Sequence, residues 1–356
     1  MQGSEAIRGR GAHWNPANRF PGGRAYEADE DLEWHGGEAD ATRPATEILE
    51  DATRSILSRN DSPDVGFSCG LNPYRGCEHG CIYCFARPTH EYMGYSAGLD
   101  FETRIFVKRD AATLLRRELS SPRWKPEVIA LSGNTDPYQP IERELGITRQ
   151  CIEALRDFRN PVGIITKNRL VTRDIDLLSE MAADHCAAVF VSVTTLDLGL
   201  NRILEPRSSA PAQRLDAIRQ LRAAGVPVGV LAAPVIPGLT DHELPAILEA
   251  SAEAGAQYAG YILLRLPHAV APLFEAWLEQ HYPDRREKVL NRLRDMRGGK
   301  LYDATFGKRM RGEGHFAEQI ETLFNVAARK HGLTRGHATL DTSRFRRPGQ
   351  DQMMLL

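Results

Sequence analysis

From Glu127 onward the chain alternates short, nearly all-apolar runs with amphipathic stretches. Glu127–Ser132, Val162–Lys167, Ala187–Thr194, Val228–Ala233 and Gly260–Leu266 read as strands. Ile147–Phe158, a stretch beginning near Arg173, Ala212–Ala224 and Asp241–Ala254 read as the helices between them, with Gly225 and Asp241 as stop and start residues. Strands that are apolar on both faces belong to a parallel sheet covered by helices on both sides. Gly66–Leu71 adds a strand upstream, for about six in all, too few for a closed eight-stranded barrel. The expectation is therefore an α/β fold around a parallel sheet of about six strands, with its chemistry at the C-terminal ends of the strands.

The loop after the first of these strands, Asn72-Pro73-Tyr74-Arg75-Gly76-Cys77-Glu78-His79-Gly80-Cys81-Ile82-Tyr83-Cys84, carries three cysteines in a C-x3-C-x2-C spacing. Gly76 and Gly80 let such a loop fold back tightly. Thiolates are the usual ligands of iron–sulfur clusters, and three of them on a four-iron cubane leave one iron open to a non-protein ligand. A structural zinc site usually takes two separated pairs of ligands, or histidine partners. His79 lies between two of the cysteines and could be a fourth ligand. A cluster used only for electron transfer would need a fourth cysteine, which Cys69, Cys151 or Cys186 could supply.

This spacing resembles the radical S-adenosylmethionine (radical SAM) superfamily, and the longer string Asn72–Glu91, ending Arg87-Pro88-Thr89-His90-Glu91, resembles its spore photoproduct lyase-like branch. The resemblance runs from about Ser55 to about Phe324. It implies a [4Fe–4S] cluster on Cys77, Cys81 and Cys84 with SAM on the fourth iron, Tyr83 bordering the adenine, and an external electron donor of flavodoxin or ferredoxin type. It also implies a partial (β/α)6 TIM-like barrel of the radical SAM type. Residues 63–270 form this core, followed by a C-terminal helical extension over 271–335 and a tail over 336–356.

Polar motifs stand at successive strand ends. In the loop Ser132-Gly133-Asn134-Thr135-Asp136-Pro137-Tyr138-Gln139-Pro140, the resemblance gives Thr135 and Asp136, with Ser132 and Asn134 nearby, to the SAM amino group; the plain alternative is a turn with Thr135 or Asp136 as a helix cap. Lys167 ends the next strand and could meet the SAM carboxylate. Strand alternation puts Ser192 and Thr194 on one face, and Ser192 is the expected contact to the ribose or methionine part. Arg207 has a planar fork suited to a carboxylate, with Glu205 to orient it. The segment Ala233–Asp241 resembles the family's adenine-contacting stretch. Leu131–Asp136 contains no cysteine where a spore photoproduct lyase is expected to carry its hydrogen-donating thiol. A product radical here would then be quenched by a tyrosine such as Tyr138, by hydrogen returned from 5′-deoxyadenosine, or by an external reductant.

The 356 residues carry a net charge of −2, so no global attraction to nucleic acid is expected. The segment 285–311 is locally basic, with Arg292, Arg294 and Arg297 as candidate phosphate contacts; a solvated helix of mixed charge is the plain alternative. Residues 1–62 are expected to be a largely disordered N-terminal segment, rich in Gly, Arg, Asn and acids in its first part. No apolar run is long enough to span a membrane, and six cysteines in a chain this long are not a disulfide framework, so a cytoplasmic location is expected. The reading is a radical SAM enzyme acting on an unidentified substrate, with nucleic acid one candidate. The rival reading is a non-catalytic iron–sulfur or zinc module that binds nucleic acid.

Overall fold

The computed structural model describes residue 7, residues 9–20 and residues 44–348. The apolar runs form β3 (Cys69–Leu71), β6 (Ile129–Leu131), β7 (Val162–Thr166), β8 (Ala187–Ser192), β9 (Val228–Val235) and β10 (Tyr258–Leu263). These six pair in parallel, in that order. Two edge strands extend the sheet: β2 (Leu57–Arg59), antiparallel to β3, and β11 (Thr334–Arg335), parallel to β10. A second sheet joins β1 (Glu47–Glu50), β5 (Arg104–Val107) and β4 (Tyr74–Arg75), and so ties the segment before the core to the cysteine loop.

Helices connect the strands: α1 (Asp100–Thr103), α2 (Ala111–Ser120), α3 (Glu142–Leu145), α4 (Ile147–Phe158), α5 (Ile175–Ala183), α6 (Leu198–Leu204), α7 (Pro211–Ala223) and α8 (Leu244–Glu253). In α4 the buried positions Ile147, Cys151, Ile152, Leu155 and Phe158 recur at helical spacing and form one apolar face. Truncating one of them, such as Leu155, to Ala should cost about 2–5 kcal/mol. The extension consists of α9 (Val270–His281), α10 (Pro283–Asp295) and α11 (His315–Lys330); α11 packs on α8, and Trp277 of α9 donates to Ile203 O at 3.0 Å.

Two expectations change. Residues 9–20 and 44–62 are ordered rather than disordered. Residues 11–19 are fixed by long-range hydrogen bonds to Glu102 and Glu91, which leave no periodic signal in the sequence, and residues 47–59 by the pairing of β1 with β5 and of β2 with β3. The rest of the 1–62 segment lies outside the described residues, as do 349–356. The tail is ordered as far as 348: Asp341 N donates to His185 O at 2.9 Å and Arg346 N to Phe158 O at 2.9 Å. Asp241 does not begin α8; a short turn over Asp241–Glu243 precedes it, and Asp241 pairs with Arg292 at 2.9 Å.

Candidate active site

The loop between β4 and α1 is held from below. Cys77 N donates to Phe101 O at 2.9 Å, Ile82 N to Leu204 O at 3.2 Å and Cys84 N to Cys81 O at 3.1 Å. Gly80 has φ +66°, and a Cβ there would lie 2.7 Å from Glu102 Oε2. Arg87, fully buried, brackets Cys81 O with Nε at 3.0 Å and Nη2 at 2.9 Å. The same guanidinium pairs with the buried Glu102, and that carboxylate takes Gly11 N at 2.9 Å and Ala12 N at 2.8 Å. Residues 9–20 thus strap the cysteine loop, and the strap approaches so closely that a Cβ on Gly11 would sit 1.8 Å from Gly80 O.

Above the loop lies a cavity of about 250 Å³ at the C-terminal ends of the strands. Its lining brings together Cys77, Cys81, Cys84, Tyr83, Ser132, Asn134, Thr135, Asp136, Lys167 and Ser192. Arg207 is absent from it: its guanidinium turns to the outer face, 3.0 Å from Glu78 Oε1 and 3.2 Å from Thr46 Oγ1, and lines a different surface cavity. Cys69, Cys151 and Cys186 are buried outside the lining, and burial pushes the Cys69 and Cys186 thiols up to about 11. Tyr138 is also buried outside it, so it does not face the cavity as a hydrogen donor would.

Glu205 organises the floor. It pairs with Arg214 of α7, and its Oε1 lies 3.1 Å from Lys167 Nζ and accepts from Thr194 Oγ1 at 2.7 Å and from the Tyr83 hydroxyl. Its expected partner, Arg207, is elsewhere. Burial alone would push this carboxyl up; Arg214 and Lys167, with the Tyr83 and Thr194 hydrogen bonds, hold it well below the usual carboxylate range. Lys167 Nζ also reaches Ser192 Oγ at 2.8 Å, Thr194 Oγ1 at 3.1 Å and Ala233 O at 3.0 Å, so Ser192 and Thr194 share one face as strand alternation requires.

Asp136 is equally committed. It accepts from Thr166 Oγ1 at 2.7 Å, Lys167 N at 2.7 Å and Tyr138 N at 2.9 Å, and lies 3.4 Å from His79 Nδ1. Both oxygens serve protein groups, which leaves the hydroxyls and carbonyls of Ser132–Thr135 as the freer polar edge of the lining. His79 lines the cavity beside the thiols: its Nε2 meets Asn168 Nδ2 at 3.2 Å, its Nδ1 faces Asp136, and the ring also hydrogen-bonds Cys77. Among the described residues no three His, Cys, Asp or Glu side chains close on one point as a single ion would need. A cubane takes each thiolate on a different iron, and three thiols ringing one cavity suit it.

The sequence reading missed the far wall. Ile262, Leu263, Leu264 and Arg265 at the end of β10, with Met310, complete the lining. Position at a strand end was the only signal for Arg265, and Met310 comes from a loop with none. Beyond this wall the cavity opens into a groove of about 520 Å³, flanked by Arg19, Arg59, Phe85, Tyr92, Tyr302 and Arg309.

The model of the family described as the radical SAM superfamily matches residues 71–250, just over half of the chain. An uncharacterized protein of Mycobacterium tuberculosis (strain H37Rv) is 40% identical over 220 residues, covering 61% of this chain and 65% of that protein. The chain therefore spans a little under two thirds of the length of this curated relative. A protein of Pseudomonas phage M6 named radical SAM Nalpha-GlyT isomerase is 25% identical over 227 residues, covering 62% of this chain and 44% of its own. Among solved structures, spore photoproduct lyase complexed with dinucleoside spore photoproduct is similar in fold, with a TM-score of 0.57 at 16% identity over 81% of each chain.

Proposed function

Because the chain belongs to the radical SAM superfamily, we propose that Cys77, Cys81 and Cys84 hold its [4Fe–4S] cluster, that SAM fills the cavity above them, and that the substrate is a nucleic acid. When bound, these cofactors supply the family's chemistry: reductive cleavage of SAM to methionine and a 5′-deoxyadenosyl radical, which removes a hydrogen atom from substrate. The observation that carries the reading is that three thiols and the polar ends of β6, β7 and β8 all line one cavity.

The chain's own residues bind, orient and exclude water. Ser132, Asn134 and Thr135 take the amino group of SAM; Asp136 positions that loop through Thr166, Tyr138 and the Lys167 amide. Lys167 and Ser192 present positive charge and a hydroxyl to the carboxylate and ribose side. Tyr83, its hydroxyl tied to Glu205, offers its ring to the adenine. Arg207 acts on the loop from outside, through Glu78. An external reductant of flavodoxin or ferredoxin type supplies the electron. Six free cysteines suit a reducing compartment, which favours the cytoplasm. Among the described residues no helix is long and apolar enough to cross a membrane.

The 285–311 segment offers only part of its charge to a nucleic acid: Arg294 bonds Asn291 and, like Arg285, Lys288 and Lys300, has no ion pair among the described residues. Much of its charge is neutralised within the protein: Arg286 by Glu275, Glu279 and Glu287, Arg292 by Asp241, Lys308 by Glu313, Arg309 by Asp64 and Arg311 by Glu321. Arg297 is only 4% exposed and holds Leu264 O at 2.6 Å. Support comes chiefly from the groove, where Phe85, under the guanidinium of Arg265, and Tyr92, stacked on Phe20, are 46% and 72% exposed beside Arg265, an arginine with no ion pair among the described residues; exposed rings next to a cation suit unpaired bases. No thiol besides the three loop cysteines lines the cavity, so hydrogen return to a product radical uses no protein thiol.

The test is anaerobic reconstitution, then reduction with dithionite in the presence of SAM. The reading expects about four irons per chain and release of 5′-deoxyadenosine. With a dinucleotide spore photoproduct, it expects cleavage of SAM uncoupled from clean repair. Repair to two thymines with a hydrogen traced to a protein thiol would overturn the thiol-free route.

A further inference from the structure

A cation with no ion pair among the described residues sits where the cavity meets the groove. Arg265 follows the end of β10 and lines both spaces. Among the described residues its guanidinium has one hydrogen-bond acceptor, Met310 Sδ at 3.3 Å, and thioether sulfur is a weak acceptor. Its neighbours around the groove differ: Arg19 pairs with Glu91, Arg59 with Glu127 and Arg309 with Asp64. Tyr302, Asp64 and Cys84 are the acidic groups near enough to act on Arg265, and the one carboxylate among them, Asp64, has its two oxygens spent on Arg309 Nε at 2.5 Å and Gly307 N at 2.6 Å.

Half-burying a charge without a partner costs free energy that an arriving anion would offset. Burial and the nearby Arg309 both work against the charge, and the pKa of Arg265 is lowered accordingly. The side chain is not free to swing into solvent, because its guanidinium lies 4.3 Å over the ring of Phe85, the residue after the last loop cysteine. That stacking fixes the plane of a fork able to bind two oxygens at once.

From this arrangement we infer that Arg265 is a phosphate subsite, which takes the phosphodiester next to the nucleotide entering the cavity while flanking bases stack on Phe85 and Tyr92. The inference rests on the nucleic-acid reading above. The same fork would fit the carboxylate of SAM, so the two anions are separated by experiment.

Reconstituted enzyme is prepared anaerobically as wild type, Arg265→Gln and Arg265→Lys, and binding of SAM and of a fluorescently labelled oligothymidylate is measured separately. Arg265→Gln should weaken oligothymidylate binding about tenfold and lower the slope of log affinity against log salt by about one. Arg265→Lys should recover part of the affinity, and iron content and SAM affinity should match wild type in both. Equal oligothymidylate binding by wild type and Arg265→Gln overturns the assignment. Loss of SAM affinity with oligothymidylate binding retained also overturns it, and gives the guanidinium to the cofactor carboxylate. Wild-type enzyme that binds no oligothymidylate at low salt removes the nucleic-acid reading itself, and the subsite with it. Should Arg265→Gln lose iron or fold poorly, Arg265→Lys carries the comparison, because it keeps the charge and loses the fork: the salt slope should stay as in wild type while the affinity falls, and an affinity identical to wild type would contradict a two-oxygen contact.

Discussion

Glu205 neutralises two cations at once, Lys167 in the cavity and the buried Arg214 behind it. Replacing it with Gln keeps the shape and removes the charge, leaving both cations without their anion. Breaking a buried pair in this way costs about 3–5 kcal/mol, so Glu205→Gln should lower the urea midpoint strongly while its amide oxygen still accepts from the Tyr83 hydroxyl. A midpoint equal to wild type would mean that the ion pairs contribute nothing net. His90 makes a separate prediction about pH. Burial among Tyr95, Phe101 and Phe106 holds its imidazole down at about 4, against an ordinary value of 6.5. The unfolded chain then binds the proton first as pH falls, so stability from this group is complete above 6.5 and lost between 6.5 and about 4. The loss amounts to roughly 3 kcal/mol at 1.36 kcal/mol per pKa unit. Urea unfolding at pH 7 and pH 4.5 should show a smaller drop for His90→Leu than for wild type; parallel drops would exclude the histidine as the cause. Neither role was legible in the sequence. Glu205-Pro206-Arg207 pointed to the neighbouring arginine, whereas the partners that matter, Lys167 just past β7 and Arg214 on α7, meet only after folding.

At the scale of elements, the strap formed by residues 9–20 is the feature the sequence concealed. Its Gly, Arg and Asn composition reads as solvated chain, yet Glu102 and Arg87 couple its backbone to the carbonyl of Cys81. Gly11→Ala cannot keep this contact, because its Cβ would overlap Gly80 O. The strap should lift, and a reconstituted cluster should bleach in air several-fold faster than in wild type, with circular dichroism unchanged. Bleaching at the wild-type rate would show that the strap does not shield the loop. In the extension, Arg297→Glu should lower the melting temperature, since the residue holds the backbone of Leu264 and Arg309 from a buried position. Unchanged melting with weakened nucleic-acid binding would restore the phosphate role read from its charge.

At the scale of the whole molecule, the parallel core was legible because apolar runs on both faces of each strand have one common solution, and the order of β6 to β10 follows the order of those runs. Polar residues at strand ends were legible for the same reason: once the strands are placed, Ser132, Lys167 and Ser192 must point toward one mouth. Arg207 escaped this logic because it sits in a loop after a helix, where no register fixes its direction. The account's central claim is that three thiols hold a cluster with one iron open to SAM. Electron paramagnetic resonance of the reduced, reconstituted enzyme tests it most directly. Wild type, Cys69→Ala, Cys151→Ala and Cys186→Ala should each give a [4Fe–4S]⁺ signal that shifts when SAM is added, and Cys77→Ala, Cys81→Ala and Cys84→Ala should give none. A signal indifferent to SAM in wild type, or one abolished by Cys69→Ala, Cys151→Ala or Cys186→Ala in a folded protein, would contradict the claim.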